Sequence, residues 1–172
     1  SSTSRGLGDV YKRQIVGHSE RRTDQSESDV LVAQKFASAI AADLSPIVCV
    51  GETLAQREAG DAFAVVSKQL QAVIELCGVS ALVKGAIAYE PLWAIGTGLT
   101  ATPEQAGQMH ASIRELVAGL DQDTAQAVRI IYGGSVNPEN AGLLFAQDEI
   151  DGALVGGASL QAASCAAIVA AI

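Results

Sequence analysis

The sequence predicts an α/β fold on parallel strands and, within that class, a (β/α) barrel. Three observations carry the prediction. Five short runs of β-branched and small apolar residues alternate with longer segments of helical spacing. Those runs have no alternating polar face, as expected of parallel strands covered on both sides. Polar residues and glycines collect directly after them: His18-Ser19-Glu20, Glu52, Glu90, Gly133-Gly134-Ser135 and Gly156-Gly157. Barrels and doubly wound sheets both keep their chemistry at the C-terminal ends of strands. The doubly wound form calls for G-x-G-x-x-G after an early strand, and the chain contains none.

In order, the predicted strands are 15–17, 46–51, 85–90, 128–132 and 152–156, and the helices are 30–42, 57–76, 103–119, 138–146 and 160–171. Two helix starts are spelled out. Thr102-Pro103-Glu104-Gln105 supplies a hydroxyl cap, a proline at the first helical position and a glutamine at the third. Asn137-Pro138-Glu139 repeats the cap-then-proline order.

At 172 residues the chain is one domain or a piece of a larger one. With 49% hydrophobic but only 4% aromatic residues, its core must be built from Ala, Val, Ile and Leu. A net charge of −8, without any long basic run, argues against nucleic acid or an anionic membrane as partner. No apolar run approaches the ~18 residues of a membrane span, and the N-terminal stretch has no apolar core of a secretory signal. A cytoplasmic location is the expectation. Cys49, Cys77 and Cys165 are widely spaced among apolar residues, so all three are expected to be buried, free thiols. Two histidines are too few for a His-rich metal site, and no metal is predicted.

The chemistry concentrates in "AIAYEPLWAIGTG", residues 86–98. An apolar strand ends on Glu90, whose surroundings would raise its pKa and suit it to abstract a proton beside a carbonyl. A strand-end glutamate can equally cap or pair, but the next residues favour catalysis. Pro91-Leu92-Trp93 is a stiff hinge, Ala94-Ile95-Gly96 a light tip and Thr97-Gly98 a second hinge, the pattern of a lid. In "IVGHSERR", 15–22, His18 sits between a strand glycine and a polar helix start, where the helix dipole favours an uncharged ring able to donate to a substrate oxygen. "YGGSV", 132–136, and "LVGGASL", 154–160, are each weak signals, but together they form a candidate phosphate cradle of backbone N–H groups. Such a cradle suits an acidic protein that binds an anion.

"VGHSERR", "CVGE", "AYEPLWAIGTG", "YGGSV" and "GALVGGASL", in that order, closely resemble the triosephosphate isomerase family from residue 15 to residue 172. The resemblance implies a partial (β/α)8 barrel, strands four to eight with their helices, and an aldose–ketose isomerase that needs no cofactor. It interconverts dihydroxyacetone phosphate and glyceraldehyde 3-phosphate through an enediol, with a small phosphorylated triose as partner and a homodimer in the full-length family. Carried over residue by residue, Glu90 moves the proton, and His18 polarises the carbonyl and shuttles the hydroxyl proton. Gly96, Ser135, Gly156 and Gly157 hold the phosphate, Ser19 and Glu20 support the site, and Tyr132 latches the closed lid. A glutamate base, an uncharged histidine electrophile and a closing loop are the general pattern of this chemistry.

The sequence also departs from the family. A complete barrel takes ~250 residues, and counterparts of the first three strand–helix units are missing, with the Asn-x-Lys segment that ends the first strand. The sole early lysine, Lys12, lies in "SSTSRGLGDVYKRQ", residues 1–14, which resembles no part of the family and reads as an artefactual extension of a domain spanning 15–172. Leu99 replaces a frequent lysine at the second hinge. Open sheet edges, an unfilled interior, a Glu20 deprived of its lysine and unsettled association are expected consequences. A weakly active or inactive fragment follows, and the alternative is a non-catalytic partial-barrel remnant.

Overall fold

The computed structural model describes residues 12–95 and 99–172. Four parallel strands, β1 (Arg13–Val16), β2 (Ser45–Val50), β3 (Ala86–Tyr89) and β4 (Arg129–Tyr132), lie side by side in chain order. Their register stacks Ile15 on Ile47, Ile47 on Ala86, and Tyr89 on Tyr132. Each crossover carries helix: α1 (Ser19–Asp24) and α2 (Asp29–Ala41) after β1, α3 (Leu54–Glu58) and α4 (Ala62–Cys77) after β2, α5 (Pro103–Ala118) and α6 (Gln122–Ala127) after β3. The short α7 (Ala141–Phe145) and then α8 (Ala162–Val169) complete the chain. β1 takes in Arg13 and Gln14, so regular pairing begins within the stretch set apart as 1–14.

Side-chain alternation sorts the sheet into two faces. Val16, Val48, Ile87 and Ile130 join Phe36, Leu70 and Ile113 of the helices in the main core. Each such fully buried side chain contributes about 1.5–3 kcal/mol. Ile47, Cys49 and Ala88 face the other way, with Ala86, Ile131 and Leu154 packed on them. The inner face is therefore less bare than expected, because the chain after β4 folds Leu154 onto it.

Local chemistry sets most boundaries. The Thr102 hydroxyl accepts from Gln105 N (3.2 Å) while the Gln105 side chain accepts from Thr102 N (3.0 Å), the predicted reciprocal cap of α5. Thr53 and Gln56 do the same for α3. The single helix predicted at 57–76 is corrected to two, since Gly60 between them adopts φ +83°, a left-handed conformation that ends a helix. The helix predicted at 138–146 shrinks to α7, because the Asn137 side chain accepts from both Glu139 N and Asn140 N and so holds a turn there. The predicted fifth strand, 152–156, is reduced to a stub with one parallel bridge, Tyr132 to Ala153. It bonds to β4 on one side and turns at once into the tight helical turn Gly157–Leu160. Of the cysteines, Cys49 is buried, but Cys77 at the end of α4 and Cys165 on α8 are only half-buried, which corrects that expectation. Among the described residues, no helix is long and apolar enough to cross a membrane.

Candidate active site

The C-terminal ends of the strands open into a cleft of about 650 Å³ lined by His18, Glu20, Glu90, Ile95, the Gly133–Asn137 turn and Leu154–Ala158. Glu90 is the residue after β3, and its backbone N–H donates to Val50 O (2.7 Å), which carries the β2–β3 ladder to the base of the site. Two glycines permit this close packing. A Cβ on Gly51 would fall 1.7 Å from Glu90 O, and one on Gly133 would fall 2.8 Å from Glu90 Cγ.

The Glu90 carboxylate is almost wholly buried and held at both oxygens. Ser19 N donates to Oε2 (3.0 Å), and His18 Nε2 lies 3.2 Å from Oε1. His18 is the residue that starts α1, and its carbonyl accepts from Arg21 N and Arg22 N. Burial pushes the Glu90 carboxyl above its usual value, against the opposing pull of His18, Ser19 N–H, the Cys49 thiol and Arg22. A raised folded-state pKa means that this carboxyl costs stability once it ionises. Wild-type stability should therefore fall as pH rises through that value and be unaffected well below it. Glu90→Gln is expected to unfold at a higher urea midpoint at pH 7, with the gain vanishing in acid. Equal midpoints at pH 7 would show that the partners fully offset the burial.

The sequence-predicted residues are distributed as follows. His18, Glu20, Glu90, Ser135, Gly156 and Gly157 all line the cleft. Glu20 is exposed there, and Ser19 takes part through its N–H. A Cβ on Gly156 or Gly157 would meet nothing within 4 Å, so these glycines border open space. The Ser135 carbonyl accepts from Asn140 Nδ2 (3.0 Å), which fixes that turn. Gly96 lies outside the described residues. Tyr132 does not line the cleft. Its ring is buried among Tyr89 and His110, and its hydroxyl reaches beneath Gly134. Burial pushes that hydroxyl up to about 12.

Two groups behind the site were not assigned to it from sequence. Cys49 read as a small buried hydrophobe, yet its thiol is one of the groups that pull the Glu90 carboxyl down against its burial. Glu52 stood out only as a polar residue after a strand. It is fully buried, and its Oε1 accepts from Arg57 Nη1 (2.7 Å), Trp93 Nε1 (2.9 Å) and Tyr89 Oη (3.0 Å). The Arg57 guanidinium also stacks 4.8 Å from the Trp93 ring centre. The signal for this network was Glu52 and Trp93 flanking the same two strand ends.

A buried carboxylate beside an imidazole, in a glycine-walled cleft at the C-terminal ends of parallel strands, defines an α/β protein with its candidate site where α/β folds carry theirs. The sequence model of the family described as Triosephosphate isomerase matches residues 10–172. The chain belongs to that family. It is 58% identical over 154 residues to the triosephosphate isomerase of Stenotrophomonas maltophilia (strain K279a), covering 90% of this chain and 61% of that relative. It is 55% identical to that of Alcanivorax borkumensis (strain SK2), with 90% and 62% covered. Against that of Vibrio vulnificus (strain YJ016) it is 58% identical, with 90% and 60% covered. The chain thus spans about three-fifths of the length of the relatives it matches.

Proposed function

We infer that the chain carries the base and electrophile of an aldose–ketose isomerase acting on dihydroxyacetone phosphate and glyceraldehyde 3-phosphate in the cytoplasm. The observation that carries this reading is the contact between His18 and the buried Glu90 on the wall of the cleft. Glu90 takes a proton from the carbon next to the substrate carbonyl and returns it to the neighbouring carbon. A raised pKa brings such a carboxylate nearer the operating pH, where general-base efficiency is best. His18 donates to the substrate oxygen as negative charge develops, then passes a proton between the two oxygens of the enediol. Ser19 N–H holds the carboxylate ready. Ser135, Gly156 and Gly157 receive the phosphate through backbone N–H groups. No cofactor enters these steps.

A second reading, a non-catalytic remnant, is favoured by the lining of the cleft. Among the described residues that line it there is no lysine or arginine to balance the charge of an enediolate beside a phosphate. Loss of one preorganised charge-stabilising group costs ~10²–10³ in rate.

Isomerase turnover of the purified chain, measured beside an identically purified Glu90→Gln variant, separates the two readings. The catalytic reading expects the wild-type rate to exceed the variant rate by at least about 10². Equal rates would leave the remnant reading.

A further inference from the structure

Arg22, in the last turn of α1, is a largely buried cation behind the site, with its side chain 12% exposed and outside the lining of the cleft. Its contacts begin where the β1–β2 ladder stops. Ser45 N donates to Lys12 O, and the pairing runs as far as Val16 beside Val48. Carried one pair further, a parallel ladder would give the Cys49 carbonyl the N–H of His18. Instead Gly17 turns the chain away at φ +69°, and Arg22 Nη2 donates to Cys49 O (3.1 Å). The guanidinium fills the space beside that turn: a Cβ on Gly17 would fall 3.0 Å from Nη2 and 2.7 Å from Val32 Cγ1.

The other contacts bracket His18. Arg22 Nε donates to Gly17 O (2.8 Å), and the Arg22 backbone N–H donates to His18 O (3.1 Å). One residue thus holds both peptide groups that flank the His18 Cα. The second of them, between His18 and Ser19, supplies the N–H that donates to Glu90 Oε2 (3.0 Å). Arg22 Nη1 donates to the Asp29 carboxylate (2.7 Å), which anchors the guanidinium to the first turn of α2.

We propose that Arg22 is a positioning residue whose forked guanidinium sets the His18–Glu90 contact by fastening the Gly17–Ser19 turn to the end of β2 and to α2. This role rests on the catalytic reading of His18 and Glu90. The three acceptors, Gly17 O, Cys49 O and Asp29, come from three separate elements and surround one planar group. Five N–H donors in a fixed fork can meet all three, whereas an ammonium on a flexible stem cannot reproduce that geometry. A misplacement of about 1 Å at reacting groups can cost ~10² in rate, so the fork matters although it touches no substrate. Its charge reaches the base as well. Burial pushes the Glu90 carboxyl up, while His18, the Ser19 N–H, Cys49 and Arg22 oppose that rise. Of these groups, Arg22 is the one whose positive charge does not change with pH.

The test compares the wild type with Arg22→Lys, which keeps the charge and loses the fork. Urea unfolding first establishes that the variant is folded. By NMR, the wild-type Ser19 amide proton is expected to follow the ionisation of Glu90, read from its side-chain carboxyl carbon. In folded Arg22→Lys that amide should lose most of its response. A merely structural arginine would lower the urea midpoint and leave the response in place, and that result overturns the proposal, as does a wild-type amide that ignores Glu90. If Arg22→Lys does not fold, Asp29→Ala takes its place, since it frees Nη1 at a position only 27% exposed. A smaller loss of the same response is then expected, and an unchanged response overturns the proposal. Where the wild type turns over triose phosphate, Arg22→Lys should lower kcat about 10²-fold at unchanged KM, and an unchanged kcat overturns the proposal. A wild type without turnover counts against the catalytic reading only, and the amide response still decides the role of Arg22.

Discussion

Glu52→Ala is expected to lower the unfolding free energy by about 3–5 kcal/mol. The carboxylate is fully buried, and one of its oxygens collects the Arg57 guanidinium, the Tyr89 hydroxyl and the Trp93 indole N–H. Alanine leaves two buried donors without an acceptor, each costing about 1–3 kcal/mol. Arg57 is 25% exposed and can turn partly to water, so its share is discounted. A domain of this size has about 5–15 kcal/mol in all, so the loss removes a large share of the total. Glu52→Gln retains a carbonyl acceptor and should recover most of the loss. Trp93 is the single tryptophan and touches the altered side chain, so urea unfolding followed by its fluorescence reads the effect directly. A change below about 1 kcal/mol would be an ordinary core substitution and would show that the three donors find other partners.

Acid is expected to remove about 3 kcal/mol between pH 6.5 and pH 4, through His110. This ring is fully buried, 5.8 Å from the Tyr89 ring and 6.3 Å from that of Tyr132, with Nδ1 3.1 Å from Glu149 O. Burial depresses its pKa from 6.5 to about 4, against the raising influence of the Glu149 carbonyl, Asp151 and the Ile130 backbone. The unfolded chain therefore takes up a proton near pH 6.5 and the folded chain only near pH 4. Between those values the unfolded state binds more protons, so stability falls as pH falls and levels off below about 4 on this account. Glu90 acts in the opposite direction, since protonation relieves its burial. His110→Gln keeps a donor for the Glu149 carbonyl but does not titrate. Its urea midpoint should vary distinctly less across the same window, and parallel curves for variant and wild type would assign the acid sensitivity elsewhere.

Both effects arise from residues that a local reading treats as ordinary. His110 is one polar position on the otherwise well-marked helix α5, and Glu52 is one of several strand-end polar residues. Their weight comes from neighbours distant in the chain. Glu52 meets Trp93 across 41 positions, His110 meets Glu149 across 39, and Ser19 N–H meets Glu90 across 71. The same holds for Cys49, legible as buried and apolar but not as a thiol that bears on the Glu90 carboxyl.

Residues next to one another in the chain determined the α/β class, the parallel strands, the Thr102 cap of α5 and the placement of His18, Glu90, Ser135, Gly156 and Gly157 at strand ends. Those features follow from side-chain spacing, capping chemistry and glycine position, all of which act within a few residues. Tertiary structure alone decided that 152–156 pairs as a stub, that α8 lies largely exposed, that Tyr132 points into the core, and that Glu52 gathers three donors. Burial and pairing depend on what lies across the sheet. A strand-forming segment with a neighbour on one side extends only as far as that neighbour supports it, and a carboxylate enclosed by apolar walls takes its strength from the few donors enclosed with it.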